Sequence, residues 1–328
     1  MKSSYIGWLF LVFACGGASA NVQEPNEVQD PTALLQDESE SSAAPASSPQ
    51  VQRGVDAIVA EDYAAAKLEL EQALAASPED PQAAYYLGVA EAGLGEAESA
   101  IERWRLALQL QPRFAEASLN LSATLLELGE SQQALEAAEQ GLQAAPDDLG
   151  LLLNKALALS SLERPAEAAN VLEQLVEKKP KDEVLRFSYA EALIASEEHE
   201  AGVAQLERLM GSQNREVLAS VADLFGRTQR WDQCIATLDK AITIEPASEL
   251  LVRRGLCRHE KKDEDGAKAD FERAIELDPK SGRAHFYLGH NLRARGDKSA
   301  AKTAFRKAQQ LEGDTPIGKA AERALNQL

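Results

Sequence analysis

The chain has 328 residues, 53 of them acidic and 34 basic, for a net charge of −19, so it lacks the basic surplus a phosphate backbone requires and nucleic acid is not expected as a partner. Aromatic side chains make up 5% against 45% apolar overall, a balance suited to helices packed closely through small residues. The four histidines form no i, i+4 pair and the three cysteines form no Cys-x-x-Cys, which excludes the common zinc spacings.

Residues 1–20 read as a secretory signal peptide. Lys2 gives a positive start, Tyr5 to Cys15 is apolar, and Ala18-Ser19-Ala20 supplies a small-residue cleavage site. The apolar run falls short of the roughly 20 residues needed to span a bilayer. A second reading makes Cys15 the lipidated first residue of a lipoprotein, although Phe13 is bulkier than the residue such a motif usually places there. Both readings predict export, to a periplasmic or outer-membrane-associated location, with membrane contact only through the lipid anchor of the second. Residues 21–46 read as a disordered acidic linker. They hold Pro25, Pro31 and Pro45, acids at Glu24, Glu27, Asp30, Asp37, Glu38 and Glu40, and no apolar periodicity beyond Ala33-Leu34-Leu35.

From residue 47 the apolar pattern turns helical and recurs. Pro81 to Phe114 reads as two helices: one opens at Pro81 and stops at Gly93 and Gly95, and the other carries Ala97, Ala100, Ile101, Trp104, Ala107 and Leu108 up to Pro112. Pro78, Pro112, Pro146 and Pro180 are spaced by 34 residues, and Pro246 and Pro279 continue the series. Eight copies begin near residues 47, 81, 115, 149, 183, 215, 248 and 282. Each places a small or short residue in its first helix (Gly54, Gly88, Ser122, Ala156, Ala190, Ala222, Gly255, Gly289). In its second helix each places a small residue (Ala66, Ala100, Ala134, Ala168, Gly202, Cys234, Ala267, Ala301) and, four residues later, Leu70, Trp104, Ala138, Leu172, Leu206, Leu238, Phe271 or Phe305. The fifth copy lacks the closing proline and is two residues short, so a local change in stacking is expected near Met210–Asn214. After Thr315-Pro316, the residues Ile317, Ala320, Ala321, Ala324, Leu325 and Leu328 form one apolar face, which suits a helix covering the end of an array.

A 34-residue helix pair with small residues at the close approaches and a closing proline resembles the tetratricopeptide repeat, TPR. The resemblance covers residues 47–315 as eight repeats, with residues 316–328 as a C-terminal capping helix. It implies an all-α fold, a right-handed superhelical solenoid of helix hairpins. In TPR proteins the first helices line a concave surface that binds protein or extended peptide. Sixth positions project into it, and here they include Asn120 and Asn154, one period apart; amides in a row can hold an extended backbone. Nearby groove candidates are Tyr85, Glu116, Phe187, Glu191, Asp223, Phe286, His290 and Arg293. Val51 and Val55 stand where the chaperone-type carboxylate clamp needs Lys and Asn, so that clamp is not expected.

No P-loop, dinucleotide fingerprint, G-x-S-x-G or H-E-x-x-H motif occurs, so neither cofactor, metal nor catalysis is expected. His259 and His290 fall on inner faces of adjacent first helices and read as groove residues. Cys234 and Cys257 occupy small, buried positions of adjacent repeats, where a disulfide and two inert thiols both remain open. Charge is uneven: residues 1–247 hold 17 basic and 40 acidic side chains, residues 248–328 hold 17 and 13. That split fits drift in solvated faces, or a last pair of repeats that meets an acidic partner. The expected function is an exported scaffold or adaptor that binds peptide segments. A lipid-anchored accessory factor of an envelope assembly or secretion machine, of pilus or polysaccharide-export type, is the alternative. A non-catalytic recruiting subunit of an enzyme is a third.

Overall fold

A computed structural model describes residues 48–328; the leader with Cys15 and the acidic segment over residues 21–46 lie outside the described residues. Among the described residues there are seventeen helices and no strand. Sixteen of them pair as hairpins: α1 (Pro49–Val59) with α2 (Tyr63–Ala76), α3 (Pro81–Gly93) with α4 (Ala97–Leu110), α5 (Ala115–Glu127) with α6 (Ser131–Leu142), and α7 (Leu149–Ser161) with α8 (Pro165–Lys178). They continue as α9 (Glu183–Ala195) with α10 (His199–Leu209), α11 (Arg215–Arg227) with α12 (Trp231–Ile244), α13 (Ser248–Glu260) with α14 (Glu264–Leu277), and α15 (Gly282–Ala294) with α16 (Lys298–Glu312). The last helix is α17 (Pro316–Asn326). The chain divides into two compact units, one ending at Lys178 with α1–α8 and one beginning at Lys179 with α9–α17.

The helix boundaries follow from local chemistry. Asp80 Oδ1 accepts from the amides of Gln82 at 2.9 Å and Ala83 at 3.2 Å, with Pro81 as the first helical residue. Asp148 and Asp182 cap α7 and α9 in the same way, through Leu151 N at 2.8 Å and Leu185 N at 3.0 Å. Such caps typically contribute about 1 kcal/mol each. Every hairpin turns through one residue with positive φ, between 56° and 85°, at Glu61, Gly95, Gly129, Glu163, Glu197, Gln229, Lys262 and Gly296. Only three of those eight are glycine, so five turns hold a side chain in the left-handed region, which costs roughly 1–2 kcal/mol per residue.

The hairpins close because a small residue on the first helix faces a bulky one on the second. An ideal Cβ on Gly88 would lie 2.6 Å from Trp104 Nε1, one on Gly255 2.5 Å from Phe271 Cε1, and one on Gly289 2.8 Å from Phe305 Cδ1. Trp104, Phe271 and Phe305 are buried. Filling such a space with a methyl group forces the helices apart, at roughly 1–3 kcal/mol.

In the second unit one apolar cluster runs from Ala190 and Leu206 through Leu218 and Phe225 to Leu238 and Cys257, so the shortened loop at Met210–Asn214 does not interrupt the core. That loop is tied down by Ser212, whose Oγ donates to Glu183 at 2.7 Å, and by Asn214, which caps α11. Cys234 on α12 and Cys257 on α13 form a disulfide with Cα atoms 6.4 Å apart, which resolves the alternative left open by the sequence. One charged cluster is also buried there. Asp270, 2% exposed, accepts from Arg254 Nε at 3.0 Å and lies 2.9 Å from Arg258 Nη1. At the end of the chain, Ala321 and Ala324 of α17 pack on Ala304, Phe305 and Ala308.

Candidate functional site

The residues expected to line a groove lie on first helices, and the contacts of each unit are distinct. In the first unit, Asn120 on α5 is half-buried and its Nδ2 donates to the Tyr85 hydroxyl on α3 at 3.3 Å. Tyr85 itself is buried, with its ring 4.8 Å from Phe114. Asn154 on α7 points into the seam with α5. It is 9% exposed, and its Nδ2 donates to Leu119 O at 3.3 Å and Ser122 Oγ at 2.8 Å. Both of its N–H groups are therefore spent inside the chain, although the 34-residue spacing makes it look equivalent to Asn120. Glu116 is exposed at the start of α5.

In the second unit the first helices carry a chain of charge. Arg253 Nη1 on α13 donates to Asp223 Oδ2 on α11 at 2.8 Å, and its Nε reaches Glu249 at 3.3 Å. Arg283 on α15 donates to the same Glu249 oxygen at 2.8 Å. Three successive first helices are thus joined side chain to side chain. Glu249 and Arg283 escaped the sequence reading. Opposite charges at the second position of successive repeats were the available signal.

Burial sets the electrostatics. It pushes the Glu191 carboxyl on α9 above its ordinary value, with Arg227 pulling the other way. It raises Asp223 too, against the Arg253 guanidinium that favours the charged form. It lowers His290, and the nearby positive charge of Arg293 adds to that effect. His290 sits in an aromatic corner of α15 and α16: its ring centroid lies 4.5 Å from Phe286 and 5.1 Å from Phe305, and its Nδ1 is 3.3 Å from Arg293 Nη2. His259 is engaged elsewhere, 2.9 Å from the Glu264 carboxylate. Phe187 is half-buried against the α9–α13 core.

Between α11, α12 and α13 lies a cavity of about 160 Å³. Ala222, Trp231 and Leu256 supply apolar walls, Cys234 and Cys257 are part of its lining, and Asp223 and Arg253 flank it. That volume suits a single apolar side chain. Among the described residues no cluster of three or more His, Cys, Asp or Glu could hold a metal ion, and no helix is long and apolar enough to cross a membrane.

Hairpins of two helices, repeated at 34 residues and sealed small-on-large, define a helical repeat protein. The chain belongs to the tetratricopeptide repeat family: models of that repeat match residues 51–104 and 92–148, 159–224, and 248–281, together more than half of the chain. Solved structures that match include a tetratricopeptide repeat protein from Parabacteroides merdae, 17% identical over 84% of this chain and 96% of its own, with a TM-score of 0.43. MamA from Desulfovibrio magneticus is 20% identical over 50% of this chain and 96% of its own, TM-score 0.45. Yeast Tom70 is 16% identical over 97% of this chain and 67% of its own, TM-score 0.43. No curated protein matches the chain. The repeats support a protein–protein interaction scaffold.

Proposed function

We propose that the chain is an exported, non-catalytic scaffold that holds extended segments of partner proteins against its first helices. The observation that carries this reading is the side-chain chain Asp223–Arg253–Glu249–Arg283, in which polar groups of three successive first helices form a continuous, half-exposed lining. Such a lining offers donors and acceptors at intervals along an extended backbone. The adjoining cavity adds a place for one apolar side chain. Fixed hairpins keep the entropy cost of binding on the ligand's side. Phe286, His290 and Arg293 extend the surface along α15, and Asn120 with Glu116 offers polar contacts in the first unit.

Export is supported by the pairing of Cys234 with Cys257, because disulfides persist in oxidising compartments and are rare in the cytosol. It is supported also by the leader-like residues 1–20. Binding is tested with an array of extended peptides probed by the full chain. Arg253→Ala with Arg293→Ala should abolish the bound spots, while Arg273→Ala, on the exposed face of α14, should leave them. Equal binding by all three proteins refutes the assignment. Export is tested by fusing residues 1–47 to alkaline phosphatase; an inactive fusion refutes that part.

A further inference from the structure

His290 differs from the other titratable side chains of the second unit in that a neighbour dictates where its proton sits. It lies on α15, half-buried, with the rings of Phe286 and Phe305 both edge-on to it. Its Nδ1 is 3.3 Å from Nη2 of Arg293, which stands one helical turn further on. A guanidinium can only donate, and it keeps its charge at every working pH. Nδ1 therefore accepts this hydrogen bond through its lone pair, and the proton of the neutral ring is on Nε2.

A second proton on that ring finds no support nearby. The charges that act on it are those of Arg293 on the same helix and of His259 on α13, and both oppose a further positive charge. The Glu264 carboxylate at the start of α14 is engaged by His259 at 2.9 Å and by Asn291 Nδ2 at 2.7 Å. From α16 the contact is the uncharged Phe305 ring. Burial opposes the charge as well, so protonation comes below the ordinary 6.5. When it comes, the bond from Arg293 is lost and two like charges face each other. Arg293 forms no ion pair among the described residues, so His290 is the group that holds its guanidinium in place.

We infer that His290 is a proton-operated latch on Arg293: the neutral ring holds the guanidinium against α15, and the protonated ring releases it to solvent. In the released state an imidazolium and a free guanidinium stand together on a first helix, where an acidic side chain of a bound segment can take both. The latch stands on the geometry of α15 alone, whereas its effect on a ligand rests on the groove reading proposed above.

The latch is tested on the full chain by carbon-detected NMR, which reads the His290 ring and the Arg293 Nε–Cζ pair from about pH 8 to about pH 5. Both signals should move with one common midpoint below the ordinary 6.5. Arg293→Gln should shift the His290 midpoint upward, because the opposing cation is gone. His290→Gln keeps an uncharged acceptor and should make the Arg293 signal independent of pH. His290→Phe keeps a ring without an acceptor and should leave Arg293 at its released position throughout. An unchanged helical melt verifies that the variants remain folded, and the parent titration decides the question without them. An Arg293 signal in the parent that ignores pH, or a His290 midpoint at or above 6.5, overturns the inference. A labelled peptide of alternating Glu and Thr, followed by anisotropy, tests the consequence for binding. Its affinity for the parent should rise about threefold between about pH 7.5 and about pH 5.5, as one exposed ion pair would give, and stay level for His290→Gln. An equal rise in both proteins overturns the control of binding by His290. No binding by the parent at either pH refutes the groove reading, and the spectra still decide the latch.

Discussion

Breaking the Cys234–Cys257 bridge gives the most quantitative check on the second unit. The two cysteines are 23 residues apart in sequence and join the second helix of one hairpin to the first helix of the next. Closing a loop of that length removes denatured-state entropy worth about 3.4 kcal/mol at 25 °C in the chain-entropy account. With a urea slope of about 2 kcal/mol per molar, that loss lowers the unfolding midpoint by about 1.7 M. Trp231 lines the cavity beside both cysteines, so its emission reports the affected region. Oxidised chain, chain in excess reductant, and Cys234→Ala with Cys257→Ala should be compared in the same titration. The Ala variant should fall slightly below the reduced chain, because both sulfurs are buried and their removal leaves small voids. Alkylation and mass measurement count free thiols in parallel. Alkylation of Cys234 and Cys257 in the oxidised chain would refute the pairing. A bridged chain whose midpoint equals that of the reduced chain would refute the entropic reasoning.

Other perturbations follow from single sites. Asp270→Ala removes the buried carboxylate that Arg254 and Arg258 share, leaving Arg254 with Asp239 and Arg258 with Gly266 O and a 3.9 Å approach to Asp263, and should cost about 3 kcal/mol by urea unfolding. Glu91 is 2% exposed, its Oε1 is 3.5 Å from Arg103 and its Oε2 has no partner, so burial raises its pKa above the ordinary 4.5. The folded chain then holds that proton more tightly than the unfolded chain, and stability falls as pH rises above 4.5. Glu91→Gln should therefore be more stable than the parent at about pH 7, with the gain vanishing near pH 4, as read by melts at both pH values. Glu197→Gly relieves a left-handed residue at φ 70° and should raise stability by up to about 1 kcal/mol in thermal melts.

The parts of the fold that depend on volume were legible before any coordinates. Gly88 with Trp104, Gly255 with Phe271 and Gly289 with Phe305 each stand 16 residues apart, and a missing Cβ opposite a large ring is a signal that one sequence carries in plain view. Parts that depend on direction were not. Asn120 and Asn154 share a spacing, yet the hydroxyl of Ser122 draws the second inward and the hydroxyl of Tyr85 holds the first at the surface. Nothing in residue type separates those outcomes. The left-handed turns were half visible: glycine announces them at Gly95 and Gly129, whereas Glu163 and Glu197 adopt the same geometry because the helices on either side dictate it. The charged lining of the second unit was partly missed because its partners sit 30 and 34 residues apart, and charge at exposed positions looks like ordinary solvation until the distances are known.

The bridge also has a mechanical consequence. Residues 235–256 lie inside a covalent loop, so a pull on the two ends of the chain cannot straighten them. At roughly 3.5 Å per extended residue, about 75 Å of contour is withheld from stretching. A tether drawn taut would lengthen by peeling hairpins on either side of that loop, while the segment between Cys234 and Cys257 could add no slack until the sulfurs part.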